Sequence, residues 1–237
     1  MGNTLLSIDW DYFIATKNRQ YLSLAENKST AEDLWYQRYL QLQAVGKNIE
    51  QLYYLSPEVK DFWHQIKDIF SISAQTKVFV SDTHTLSYFI AKHYRCTTVY
   101  LFDAHSDLGY SGAKSFDLGI NCGNWLGMLF KDKLITTANI IYSQYTWEQP
   151  EYFAAFNAEY AIKYPTITEL NNLKPKPHIT AIHICRSGAW TPPWYDYDFQ
   201  KFVASLNLPY QTIKCPLRRW DPATLSFADR VNIMLGI

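Results

Sequence analysis

Short apolar runs, each ending in a cluster of polar residues, recur along this chain. Residues 4–10 predict a strand that runs into Asp9-Trp10-Asp11. Residues 77–80 predict another, leading to Ser81-Asp82-Thr83-His84, and residues 97–102 a third, leading to Asp103-Ala-His-Ser-Asp107. Further strands are expected at 138–143 and 179–185, the latter running into Arg186-Ser187-Gly188. Between the strands, apolar residues return at helical spacing. Ser29 with Glu32 reads as a capping box opening a helix that extends to about Leu42. Ser56-Pro57 reads as an N-cap and first-turn proline for a helix through Val59, Phe62, Trp63, Ile66 and Phe70. Residues 86–94, 199–206 and 227–235 complete the expected helices.

Buried strands alternating with helices predict an α/β fold, a three-layer α/β/α arrangement around a mostly parallel sheet. In such folds the C-terminal ends of the strands form the binding crevice, which is where the polar clusters fall. No repeat or linker divides the chain, and Lys174-Pro-Lys-Pro177 reads as a loop before a strand. One domain over residues 1–237 is expected.

Composition narrows the class. Lys plus Arg equals Asp plus Glu at 22 each, so the chain lacks the basic excess of a nucleic-acid binder. No apolar run reaches membrane-span length, and the first residues lack a signal-peptide pattern. The four cysteines form no C-x-x-C pair, which argues against a structural zinc site and for reduced thiols in the cytoplasm. Of 18 Tyr, 13 Phe and 8 Trp, most are expected in the core and some along a groove.

The polar clusters carry the chemistry. In an extended backbone, residues two apart face one side, so Asp103, His105 and Asp107 converge if extended geometry continues past the strand. Asp9 and Asp11 repeat that logic, and a cation between two carboxylates relieves their repulsion. His84 alone is weak, but with the other strand ends it completes six candidate ligands, enough for two metals sharing carboxylates.

Asp103-Ala-His-Ser-Asp107 resembles the Asp-Ala-His-x-Asp signature of the arginase and agmatinase ureohydrolases, and Ser7-Ile-Asp-Trp-Asp11 resembles their Ser-x-Asp-x-Asp signature. The Asp-x-Asp segment comes last in ureohydrolases and first here, which implies an arginase/deacetylase-like fold that is circularly permuted. The resemblance is closer to an arginase-like family that includes bacterial peptide arginases, through Ile8-Asp-Trp-Asp-Tyr-Phe13, Phe102-Asp-Ala-His-Ser-Asp-Leu108, Cys122-Gly-Asn-Trp-Leu126 and Ile184-Cys-Arg-Ser187. It implies hydrolysis of arginine residues in a ribosomal precursor peptide to ornithine and urea. It also implies two Mn2+ ions per chain: one on His84, Asp103, Asp107 and Asp9, the other on Asp103, His105, Asp9 and Asp11, with Asp9 and Asp103 bridging. Asp107 would orient the attacking water and take its proton.

One position departs from the family. Ureohydrolases carry a proton-shuttling histidine in a Gly-Asn-x-His-Gly-Met stretch, where this chain has Leu126. His183 is a candidate replacement, though a buried, hydrogen-bonded histidine fits a strand better. Asn124, Arg186 and Trp190 are candidate substrate contacts. The alternative for Arg186 is a structural salt bridge, and for Trp190 it is packing. Asp196-Tyr-Asp198 is expected in a loop and reads as a decoy for metal. Either of its carboxylates, or Glu26 or Glu32, is a candidate partner for a guanidinium. A ureohydrolase for a free guanidino compound, a deacetylase-like amide hydrolase and a metal-containing peptide-binding module are the competing functions.

Overall fold

The computed structural model describes residues 2–16 and 31–236. The Ser29–Glu32 capping box and Glu26 lie outside the described residues, as does the side chain of Glu32. A parallel sheet of seven strands forms the middle layer. In chain order the strands and helices are β1 (Asn3–Asp9), β2 (Ile14–Thr16), α1 (Ala31–Ala44), β3 (Tyr53–Leu55), α2 (Phe62–Ile69), β4 (Lys77–Ser81), α3 (Leu86–His93), β5 (Cys96–Asp103), α4 (Trp125–Lys131) and β6 (Thr137–Tyr142). There follow α5 (Ala154–Glu159), β7 (Ile162–Lys163), α6 (Ile167–Leu170), β8 (Ala181–Cys185), α7 (Asp196–Ser205), β9 (Gln211–Ile213) and α8 (Phe227–Leu235). The sheet order is β7-β6-β5-β1-β8-β4-β9, so the first strand of the chain sits at its centre. Strands β2 and β3 form a separate antiparallel pair.

Alternation along the strands builds two cores, one on each face of the sheet. From β1 and β5, Leu6, Ile8, Tyr100 and Phe102 face one core, where α2 and α7 contribute Phe62, Ile66, Phe199 and Phe202. Leu5, Val99 and Leu101 face the other, with Ile90 of α3 and Leu129 of α4. This is the expected three-layer arrangement. None of the four cysteines is in a disulfide, and no helix among the described residues is long and apolar enough to cross a membrane.

Two expected elements differ in detail. Ser56 does cap a turn, accepting from Glu58 N at 3.3 Å. That turn, however, is a 3-10 segment over Pro57–Lys60, and α2 starts only at Phe62. Asp196-Tyr-Asp198 is not a loop but the first turn of α7. The short strands β7 and β9 and the β2–β3 pair carry too few apolar residues to stand out in the sequence.

Candidate metal centre

Strands β1 and β5 lie side by side and end at the same level, Ile8 pairing with Phe102. Their last residues are Asp9 and Asp103. Both strands stop there, so continued extended geometry is not what gathers the ligands. Each terminal aspartate instead folds the chain back on itself. Asp9 Oδ1 accepts from Asp11 N at 3.0 Å, and Asp103 Oδ1 accepts from His105 N at 2.8 Å. A short carboxylate bonding the backbone two residues on is the aspartate turn, and here it occurs twice in parallel. The two turns bring Asp11 and His105 together, with His105 Nδ1 2.9 Å from Asp11 Oδ2.

His84 enters from the loop after β4. Its Nδ1 lies 3.1 Å from Asp9 Oδ2, 3.1 Å from Asp103 Oδ2 and 2.9 Å from Asp107 Oδ2. Two groups of ligand atoms result, Asp9–His84–Asp103 and Asp11–Asp103–His105, with Asp103 common to both. Asp9, also expected to bridge, belongs to one of them. Asp107 joins through His84.

These atoms fit divalent cations. His84 Nδ1, Asp103 Oδ2 and Asp11 Oδ2 are buried without a hydrogen-bond partner among the described residues, and orphaned buried polar atoms are costly. Neighbouring ligands of an octahedral cation at about 2.1 Å lie about 3 Å apart, as the donors around His84 do. A donor set rich in carboxylate suits a hard cation.

Without a cation the cluster holds protons. Burial disfavours the charged form of His84, but Asp103, Asp107 and Asp9 outweigh it and hold its pKa well above the usual value. Burial likewise opposes the charge on His105, which Asp11 and Asp103 restore. Burial raises Asp103, and repulsion from Asp11, Asp107 and Asp9 raises it further.

A second layer holds the ligands in place. Ser187, after β8, donates to Asp9 Oδ2 from a left-handed backbone position (φ 49°). Asp107 is also left-handed (φ 53°), a conformation aspartate tolerates better than most residues. Its Oδ2 accepts from Trp125 Nε1 at 2.5 Å, and its carbonyl accepts from Leu126 N and Gly127 N at 3.1 and 3.3 Å. Helix α4 comes so close here that a Cβ on Gly127 would lie 2.3 Å from the Leu108 carbonyl oxygen.

Beneath His84 runs a buried hydrogen-bonded chain. His84 Nε2 is 2.7 Å from Ser7 Oγ, which is 2.7 Å from Ser87 Oγ. Ser87 Oγ is 2.5 Å from His183 Nδ1, and His183 Nε2 is 2.8 Å from Ser81 Oγ. Ser81 donates to the Thr83 carbonyl at 2.9 Å. That carbonyl fixes the direction of the whole chain. Ser81 spends its hydrogen on Thr83, so His183 Nε2–H donates to Ser81. Ser87 then donates to His183 Nδ1, Ser7 donates to Ser87, and His84 Nε2–H donates to Ser7. When the ring is neutral, the lone pair of His84 is therefore on Nδ1, where a cation held by the carboxylates would meet it.

The six expected ligands therefore come together, but three other candidates do not reach the crevice. His183 is fully buried in this chain, and burial, helped by His84, pushes its pKa well below the usual value. Both its ring nitrogens are engaged, by Ser87 and by Ser81. Asn124 staples a loop, accepting from Asn121 N and donating to the Ser115 and Gly119 carbonyls. Arg186 is the structural salt bridge, buried and donating to Asp82 at 2.8 Å, to Asp196 at 2.7 Å and to the Pro216 carbonyl. Asp196 also accepts from Arg218, so its carboxylate is taken up by two of the chain's own guanidinium groups. Leu126 is fully buried in the core.

Trp190 does line the crevice, its ring 4.8 Å from that of His105. Tyr145, Trp147 and Glu148 form the facing wall. Sequence reasoning missed Ser7, Ser87, Trp125 and Glu148. Ser7 was findable as the residue two before Asp9 on the same strand face, and Glu148 as an acid in the loop after a buried strand. Trp125 and Ser87 gave no signal that sets them apart from core residues.

The fold and the cluster together define an α/β protein with a preorganised carboxylate–imidazole site at the end of a parallel sheet. No model of a known protein family matches the chain, and neither does any curated protein or solved structure with which it was compared.

Proposed function

We propose that the protein is a dinuclear metal-dependent hydrolase that converts arginine residues of a precursor peptide to ornithine, releasing urea. The observation that carries the reading is Asp103, shared between two carboxylate–imidazole groups beside an open cavity. Asp9, Asp11, His84, Asp103, His105 and Asp107 would hold the pair of cations, manganese by the motif resemblance. Two bound cations supply hydroxide at neutral pH by lowering the pKa of water.

The chain's own residues do the rest. Trp125 and the left-handed backbone hold Asp107 against His84, positioned to take a proton from the attacking water. The serine–histidine chain keeps Nδ1 of His84 bare. A guanidinium and water become an ammonium and urea. Leu126 and His183 lie away from the cavity, so the proton taken by Asp107 would pass to the leaving amine, directly or through water, and the reaction balances with no further donor.

A peptide substrate is supported by exposed rings beside the cavity, Trp147 at its edge and Tyr54 packed on Tyr145. The permuted arginase/deacetylase-like fold is supported by motif order, Asp9-x-Asp11 preceding Asp103-x-His105-x-Asp107 on neighbouring parallel strands. The test is mass spectrometry of arginine-containing precursor peptides incubated with the manganese-loaded protein, with urea assayed in parallel. Loss of one cyanamide mass per arginine with matching urea is expected. Urea from free arginine or agmatine alone would replace the peptide by a small guanidino substrate. Bound metal with neither signal would sink the hydrolase reading for these substrates.

A further inference from the structure

Two cavities meet at Glu148. One is bounded by Asp11, His105, Tyr145, Trp147 and Trp190. The other is bounded by Gly109, Tyr110, Tyr152 and Phe156. Glu148 lines both, and its carboxylate is fixed from three directions. Oε2 accepts from Ser106 N at 2.8 Å and from the Tyr142 hydroxyl at 3.2 Å, and the Tyr110 hydroxyl bonds the same group. Ser106 lies between His105 and Asp107, so the bond ties the carboxylate's position to the ligand loop. No Lys or Arg pairs with Glu148 among the described residues, and burial raises its pKa against the hydrogen bonds it accepts.

Charge makes this group informative. Two divalent cations would balance the four aspartates, leaving the hydroxide they supply as the only net charge at the cluster. Glu148 is the remaining anion in the cavity wall. Around it stand aromatic faces, which attract cations. A planar guanidinium satisfies both, offering parallel N–H donors to a carboxylate and a flat face to a ring.

We propose that Glu148, with the walls of Trp147 and Trp190, forms the subsite that grips the substrate's guanidinium and selects it over neutral analogues. This rests on the hydrolase reading for the identity of the cation, while the site itself rests on the cavity. Glu148 acts here as a specificity-determining residue.

The experiment uses the manganese-loaded full chain with two probes, Nα-acetylarginine amide and the uncharged Nα-acetylcitrulline amide. Ligand-detected NMR reads affinity, and urea is followed in the same tube. The native protein should bind the arginine probe at least about tenfold more tightly, as expected for one charge-assisted contact. Glu148→Gln should remove that preference while leaving citrulline binding and metal content unchanged. Glu148→Asp should keep part of it. A preference that survives in Glu148→Gln, or its absence from the native protein, overturns the subsite. A Glu148-dependent preference without any urea supports the subsite and defeats the hydrolase reading. Urea release with an unaltered preference in Glu148→Gln does the reverse. If Glu148→Gln does not fold, Trp147→Ala at the exposed edge decides: the subsite requires it to weaken the arginine probe more than the citrulline one.

Discussion

The hydrogen-bonded chain under His84 can be broken at its middle. Ser87→Ala removes a fully buried hydroxyl that stands 2.7 Å from Ser7 Oγ and 2.5 Å from His183 Nδ1. Two consequences follow with different magnitudes. His183 Nδ1 loses its donor and Ser7 its acceptor, and each unsatisfied buried group costs about 1–3 kcal/mol. Rotation of Ser7 recovers part of this, so a stability loss of about 2–4 kcal/mol is expected. The rotated Ser7 then donates to His84 Nε2 and places the ring's hydrogen on Nδ1, the atom that should face the metal. Losing such an outer-layer partner costs about 10–100-fold in metal affinity. Denaturant unfolding of the metal-free protein reads the first quantity, and a manganese titration by calorimetry reads the second. Nitrogen NMR of the imidazoles reads the tautomer directly, with His84 Nδ1 unprotonated in the native loaded protein. If Ser87→Ala loses stability but binds manganese as the native protein does, the chain supports the core and does not set the tautomer.

Three further outcomes follow from the geometry. Because carboxylates hold protons on His84 and His105 well above their usual pKa values, cation and proton compete for the same nitrogens. Manganese binding at neutral pH should release protons and tighten as pH rises, and a titration heat independent of buffer ionisation would contradict this. Gly127→Ala forces α4 away from the Leu108 carbonyl, at a cost of about 1–3 kcal/mol. It should also lower metal affinity by displacing Asp107, which unfolding and metal titration together would show. Asp196→Asn breaks the buried contacts to Arg186 and Arg218 at a cost of about 3–5 kcal/mol. Metal affinity should be unchanged once the fold is secured, and a drop would place that network in the site.

The layers of the fold were legible because apolar runs of strand length alternate with helical periodicity, as at residues 97–102 and 86–94. The candidate ligands were legible because they sit directly after such runs. How they converge was not, since the i, i+2 spacing of Asp9 and Asp11 suits a strand and an aspartate turn equally. Arg186 and Asn124 looked available because each follows a strand or sits in a matched segment. Only the tertiary partners Asp82, Asp196 and Ser115 reveal that both side chains are engaged in the core. His183 was ambiguous for the same reason, and Glu148 was overlooked because the loop after β6 carries no repeated acidic spacing.

The placement of β1 at the centre of the sheet bears on how the protein is made. Leu5 pairs with Val99 on one side and with Ala181 on the other. During synthesis every ligand from Asp9 to Asp107 has emerged well before β8, which closes the open edge of β1 and brings Ser187 to Asp9. A nascent chain thus displays an unpaired apolar strand beside a nearly complete set of ligands. Pairings so distant in sequence also slow folding. The bond from Ser187 that fixes Asp9 is thereby reserved for a chain whose last central strand is in place.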